Sequence, residues 1–237
     1  MQDSADQVVQ GMRGVRARAR EQVLSEIISI AELQLRQRGA SELSLRAIAR
    51  ELGMVSSAIY RYFPSADALL TTLIIRAYND LADAAEAALQ AKGGDSSLRR
   101  YLAVCHGCRD WALENPQRFA LIYGTPIPGY VAPRETIDPA TRVARLLMST
   151  IELNRPAPQF SEAADWAAER SQLALKLSEV VGEEVDGDQI AAGVAGWNQL
   201  FGLLSFELFG HFVGSVTDNR SYFDAVMLHW GRHLGLD

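Results

Sequence analysis

The feature that most narrows the fold of this chain is the spacing of its apolar residues. They recur every three or four positions nearly from end to end, and no stretch shows the alternation in twos that a half-buried strand requires. The expected fold class is therefore all-α. Val23, Ile27, Ile30, Ala31 and Leu35 mark one face of a first helix from about residue 16 to Gln37, with Gly39 as its stop. Ser44 can cap a short second helix that buries Leu45, Ile48, Ala49 and Leu52, and Gly53 ends it. After Met54 and Val55, Ser56 is a capping type that starts a third helix running to Phe63. Pro64 breaks that helix, and Ser65 can cap a long fourth over about 65–90.

The turn between the second and third helices is short and contains glycine, so the two cross steeply, as in DNA-binding helix-turn-helix units. At about 100° per residue, Ile59 and Phe63 share the inward side of the third helix. Ser57, Ala58 and Arg61 take the opposite side, with Tyr60 and Tyr62 on the flanks. Eight helical residues span about 12 Å, a length that lies in a major groove about 12 Å wide. Small residues at 57 and 58 let the backbone come close, Arg61 can reach a guanine edge or a phosphate, and tyrosine hydroxyls can bond to phosphates at the groove lips. An ordinary solvated face is the alternative, but two exposed tyrosines beside an arginine are costly to leave idle on so short a helix.

Charge is distributed to match. The formal net charge is -6, yet residues 10–63 hold nine arginines against five glutamates, a local +4 that leaves -10 for the remainder. A basic module on an acidic body presents its positive end to a phosphate backbone.

The run LSLRAIARELGMVSSAIYRYFPSADALL, residues 43–70, resembles the N-terminal domain of the TetR family of bacterial transcriptional regulators. The matching positions are Ile48 and Ala49, Gly53, Ser56, Tyr60, Phe63, and Leu69 with Leu70. The resemblance implies a three-helix DNA-binding domain over 10–64 and a larger helical regulatory, ligand-binding and dimerisation domain over 65–237. By position, Ser56, Ser57, Ala58, Tyr60, Arg61 and Tyr62 inherit the groove-reading role, while Ser44 and Arg46 inherit backbone positioning. The expected partners are double-stranded operator DNA, a second copy of the chain in a homodimer, and a small-molecule inducer of unspecified identity. In one place the sequence departs from the family: where a phosphate-contacting lysine is common near the start of the fourth helix, Ala66 stands, followed by Asp67. Helix-terminal amides around Ser65 and an N-terminal arm carrying Arg13, Arg16 and Arg18 are the expected substitutes.

Beyond residue 97 the pattern predicts a helix ending near Asn115, a short one from Pro116, and a proline-rich loop over 124–139. Further helices are expected at about 139–154, 161–180, 187–213 and 220–234, with a linker NRPAPQF and an acidic turn EEVDGD among them. The penultimate helix is apolar almost all round, as a helix buried at a subunit interface would be. Candidate ligand-binding residues are Trp111, Phe119, Tyr123, Met148, Trp166, Trp197 and Phe201, although for any single one ordinary core packing is the more common role. Glu207 joins them because a carboxylate on an apolar helix needs a partner, either His211 one turn on or a cationic inducer.

Cys105 and Cys108 form a C-x-x-C, and His229 and His233 lie one helical turn apart, so a redox- or metal-sensing regulator is the alternative reading. The two cysteines are too few and too close for a disulfide framework. No phosphate-cradling glycine loop, nucleophile elbow or zincin motif is present, so neither enzyme activity nor a cofactor is expected. No run of about 18 apolar residues could span a bilayer and the first 20 residues lack the apolar core of a secretion signal, which points to no membrane partner and a cytoplasmic location.

Overall fold

The computed structural model describes residues 2–92, 94–150, 166–181 and 187–237, which form helices without any strand among them. In chain order these are α1 (Gln2–Arg38), α2 (Leu45–Glu51), α3 (Ser56–Ile59), α4 (Ala66–Lys92), α5 (Ser97–Glu114), α6 (Pro116–Tyr123), α7 (Ile137–Met148), α8 (Trp166–Val181), α9 (Gly187–Leu208) and α10 (Asn219–His233). The all-α expectation holds for the described residues.

The chain divides into two compact units. One comprises residues 1–74 with 126–132, the other 75–125 with 133–237. The first turns of α4 and part of the loop after α6 pack with the N-terminal unit. Within that unit the Tyr130 hydroxyl and Thr71 Oγ1 lie 2.9 Å apart, hydrogen-bonded. Its core is Ile27, Ala31, Ile48, Ala49, Ile59 and Leu69, all fully buried. The core of the second unit gathers Val104 and Cys108 of α5, Phe119 of α6, Leu200 and Leu204 of α9, and Phe223 and Met227 of α10.

Several boundaries differ from the sequence expectation, each for a local reason. The first helix begins at Gln2, so positions 13, 16 and 18 lie within α1 and not on an extended arm; isolated Gly11 and Gly14 cost about 1 kcal/mol each and do not break a helix. The third helix is a single α-turn, Ser56–Ile59, continued to Phe63 by tighter bonds such as Arg61 N–H to the Ala58 carbonyl at 3.2 Å. Its N-cap position is Val55, and Ser56 is the first helical residue. Helix α9 stops at Leu208, not 213: Gly210 turns left-handed at φ 77° and the His211 N–H closes back on the Phe206 carbonyl at 2.9 Å. The NRPAPQF linker, the end of the helix expected to reach 154, the start of the next and most of the EEVDGD turn lie outside the described residues.

Candidate nucleic-acid interface and ligand cavity

The helix-turn-helix is built from the caps inward. Ser44 accepts the Ala47 N–H at 3.3 Å, capping α2, and its own N–H donates to the buried Gln34 side chain at 3.2 Å. At the other end Gly53, at φ 66°, lets the Met54 N–H reach the Ala49 carbonyl at 2.8 Å, which closes the turn into α3. Ile59 and Phe63 are buried, fixing the roll of the short helix. Ser56, Ser57, Tyr60 and Arg61 consequently face outward, with Ala58 and Tyr62 half-exposed beside them. Arg46 and Arg50 of α2 are exposed, as is Arg18 of α1, whereas Arg16 is described only by its place in α1. Ser65 accepts the Ala68 N–H at 3.1 Å and caps α4. Ser44 and Ser65 are therefore spent on helix ends, and the outward polar group is Ser56, Ser57, Tyr60 and Arg61.

The candidate ligand residues separate into three environments. Phe119, Tyr123, Trp197 and Phe201 form one aromatic cluster, in which Tyr123 stacks on Phe201 with centroids 4.1 Å apart and meets Trp197 edge-on at 6.5 Å. Met148 and Trp197 line a cavity of about 170 Å³ that Ala140 and Ala144 of α7 face from one side and Ile190 and Val194 of α9 from another. Trp111 is buried under the Arg118 guanidinium at 5.6 Å, and Trp166 Nε1–H lies 3.5 Å from Asp188. Neither touches that cavity.

Glu207 needs correction. Its partner is Arg109 of α5, whose Nε and Nη2 donate to the two carboxylate oxygens at 3.0 and 2.5 Å, with both side chains under a tenth exposed. The carboxylate is fully used inside the fold, and His211 is exposed with its ring 5.0 Å from Phe206. Sequence reasoning also passed over Ala140, Ala144 and Val194, whose only signal is small size at helical spacing on facing helices.

A family model described as bacterial regulatory proteins, tetR family, matches residues 27–73, and another described as tetracyclin repressor-like, C-terminal domain, matches residues 101–229. The HTH-type transcriptional regulator Rv1816 of Mycobacterium tuberculosis H37Rv is 39% identical over 215 residues, covering 90% of this chain and 92% of the relative. The chain belongs to the TetR family.

Solved structures agree over most of its length. Regulatory protein SCO4313 is similar at a TM-score of 0.74 and 34% identity, over 92% of this chain and 98% of its own. The TetR family regulator PfmR from Thermus thermophilus shares the fold at a TM-score of 0.52 and 20% identity, over 86% and 97% of the two chains. This TetR-family member is thus a DNA-binding transcriptional regulator of the helix-turn-helix type. Among the described residues no helix is long and apolar enough to cross a membrane.

The redox and metal alternative finds no support. Cys105 and Cys108 are fully buried; burial pushes the Cys105 thiol up to about 12, partly offset by a hydrogen bond with Tyr101, and burial together with Cys105 raises Cys108 well above the usual thiol range. Protonated, enclosed thiols are poor nucleophiles and poor metal ligands. His233 lies against the Trp230 ring at 5.1 Å, and no group of three or more His, Cys, Asp or Glu is arranged to hold a metal among the described residues.

Proposed function

We propose that this regulator is a homodimeric repressor that a small molecule releases from a palindromic operator. The reading divides the work between a DNA-binding domain over 10–64 and a regulatory domain over 65–237, in the cytoplasm and without catalytic activity. Arg61 supplies a groove contact, Tyr60 and Tyr62 bring hydroxyls to phosphates at the groove lips, Ser56, Ser57 and Ala58 allow close approach, and Arg18, Arg46 and the capped helix starts at Ser44 and Ser65 hold the backbone.

The supporting observation is the grip of α7 on α4. Arg142 donates to the Asn79 side chain at 2.9 Å, to Asp83 at 2.7 Å and to Glu86 at 2.9 Å. Helix α7 also walls the cavity, and α4 is a continuous helix whose N-terminal end follows the recognition turn. A ligand that wedges α7 therefore has a mechanical line to α4. Release is linkage: a ligand that prefers the arrangement unsuited to DNA weakens operator binding by the ratio of its affinities for the two states.

Dimer formation is supported by the outer face of α9 and α10, where Phe206 and Tyr222 remain exposed together with Phe209 just past the end of α9. Two recognition helices held about 34 Å apart would meet successive major grooves.

The test is operator selection from random duplexes at about 0.15 M salt, followed by titration. Enrichment of a palindrome bound by a dimer is expected. Binding that is weak, unselective and lost on adding salt would refute the operator reading.

A further inference from the structure

The cavity of the second unit carries an inference about what fills it. It measures about 170 Å³, close to the roughly 150 Å³ apolar cavities that stay dry and accept a benzene ring. Its size has a cause in the sequence. Ala140 and Ala144, one turn apart on α7, present methyl groups where larger side chains would meet α9, and on α9 Gly196 is kept small because a Cβ there would come within 2.5 Å of Trp230 Nε1.

The polar groups of the lining residues are nearly all engaged elsewhere. Arg145 Nη2 donates to the Asp138 carboxylate at 2.7 Å and to its carbonyl at 3.2 Å, and Thr141 Oγ1 donates to the same carbonyl at 3.0 Å. The Tyr101 hydroxyl is directed at Met227 Sδ, 3.9 Å away. Trp197 Nε1–H is buried and turned to the Tyr123 hydroxyl. Among the described lining residues the one charge is Arg145, already held by the Asp138 carboxylate, so an ionised ligand must break that pair or enter without a counter-charge, a cost that a neutral one avoids.

We infer that this cavity binds a neutral, apolar molecule of single-ring size, and that charged ligands of the same shape are excluded. The inference rests on the reading of this unit as the inducer-binding one. It makes Ala140 and Ala144 the residues that set the permitted size.

The experiment titrates the full chain with ethylbenzene, acetophenone and benzoate by calorimetry, beside Ala144→Leu. Ethylbenzene and acetophenone should bind saturably, one per protomer, with benzoate at least about 100-fold weaker. Filling the space in Ala144→Leu should weaken the neutral probes about tenfold or more. Ala140→Leu, on the same wall one turn earlier, serves if that variant fails to fold. No binding of either neutral probe, benzoate binding as tightly as acetophenone, or undiminished binding in a folded leucine variant would each overturn the inference. Operator titration with and without acetophenone separates the two readings. Saturable binding that leaves operator affinity unchanged would keep the site and sink release by ligand. Operator release by other compounds that persists in the leucine variant would keep release and sink the site.

Discussion

Arg109 and Glu207 form a two-pronged ion pair between α5 and α9, enclosed in the second unit with both side chains under a tenth exposed. The Arg109 guanidinium also lies 5.4 Å from the centre of the Phe223 ring, so the pair is held among three helices. Removing one partner strands a charge in a poorly hydrated place. Glu207→Ala should cost about 3–5 kcal/mol, while Arg109→Met with Glu207→Leu, which removes both charges, should come close to the parent. For a chain of this length the single variant would lower the melting temperature by on the order of 10 °C. Thermal unfolding of the two variants side by side checks this; equal losses would mean that the pair's geometry matters and its charge does not.

Arg61 stands exposed on the turn that follows Ile59, with the exposed Tyr60 next to it. Since Ile59 and Phe63 do the packing, Arg61→Ala should leave the fold intact and weaken operator binding by about 1–3 kcal/mol. If Arg61 meets a phosphate, the salt slope falls by about one unit and all sequences suffer alike; if it reads a guanine, selectivity at one base pair relaxes. Tyr60→Phe should give a smaller loss. Binding isotherms at two salt concentrations, against operator and mismatched duplexes, separate these outcomes.

Much of this N-terminal geometry was legible in the sequence because it is local. Ser44 caps within three residues, Gly53 turns the chain on the spot, and Ile59 and Phe63 are separated by one helical turn, so each role follows from spacing alone. What escaped depends on distance along the chain. Glu207 announced its need for a partner, but Arg109 lies 98 positions away on another helix and only tertiary packing pairs them. The cavity escaped for a different reason. It is made by what Ala140 and Ala144 lack, and missing volume leaves no mark until α7 and α9 face each other, whereas the large aromatics that look like ligand contacts mostly pack on one another.

Cys105 and Cys108 should behave as structural residues. With both thiols enclosed and Cys105 pushed up to about 12 by burial, almost no thiolate exists at pH 8. The native protein should leave a disulfide-exchange reagent unreacted over minutes, and both thiols should titrate at once in denaturant. Operator affinity should be the same before and after mild peroxide. Rapid native reaction, or peroxide-dependent release from DNA, would restore the redox alternative.

Gly202 offers a test of the dimer whose sign differs between the two possibilities. It sits on the exposed side of α9, and a Cβ built there meets nothing within 4 Å among the described residues. In a lone protomer Gly202→Ala should therefore stabilise the helix by about 1 kcal/mol, the ordinary gain of alanine over glycine. Asn198, Gln199 and Phe206 of the same helix, with Tyr222 of α10, surround it in a shallow hollow. If a second copy lays its helix across that hollow, the added methyl meets the partner's backbone and the gain is reversed. Gly202→Arg then goes further, shifting dimer to monomer and weakening operator binding because the two half-sites lose their linkage. Sedimentation across a concentration series, with thermal unfolding of both variants, reads the result. A Gly202→Arg protein that stays dimeric would place the subunit contact on another face.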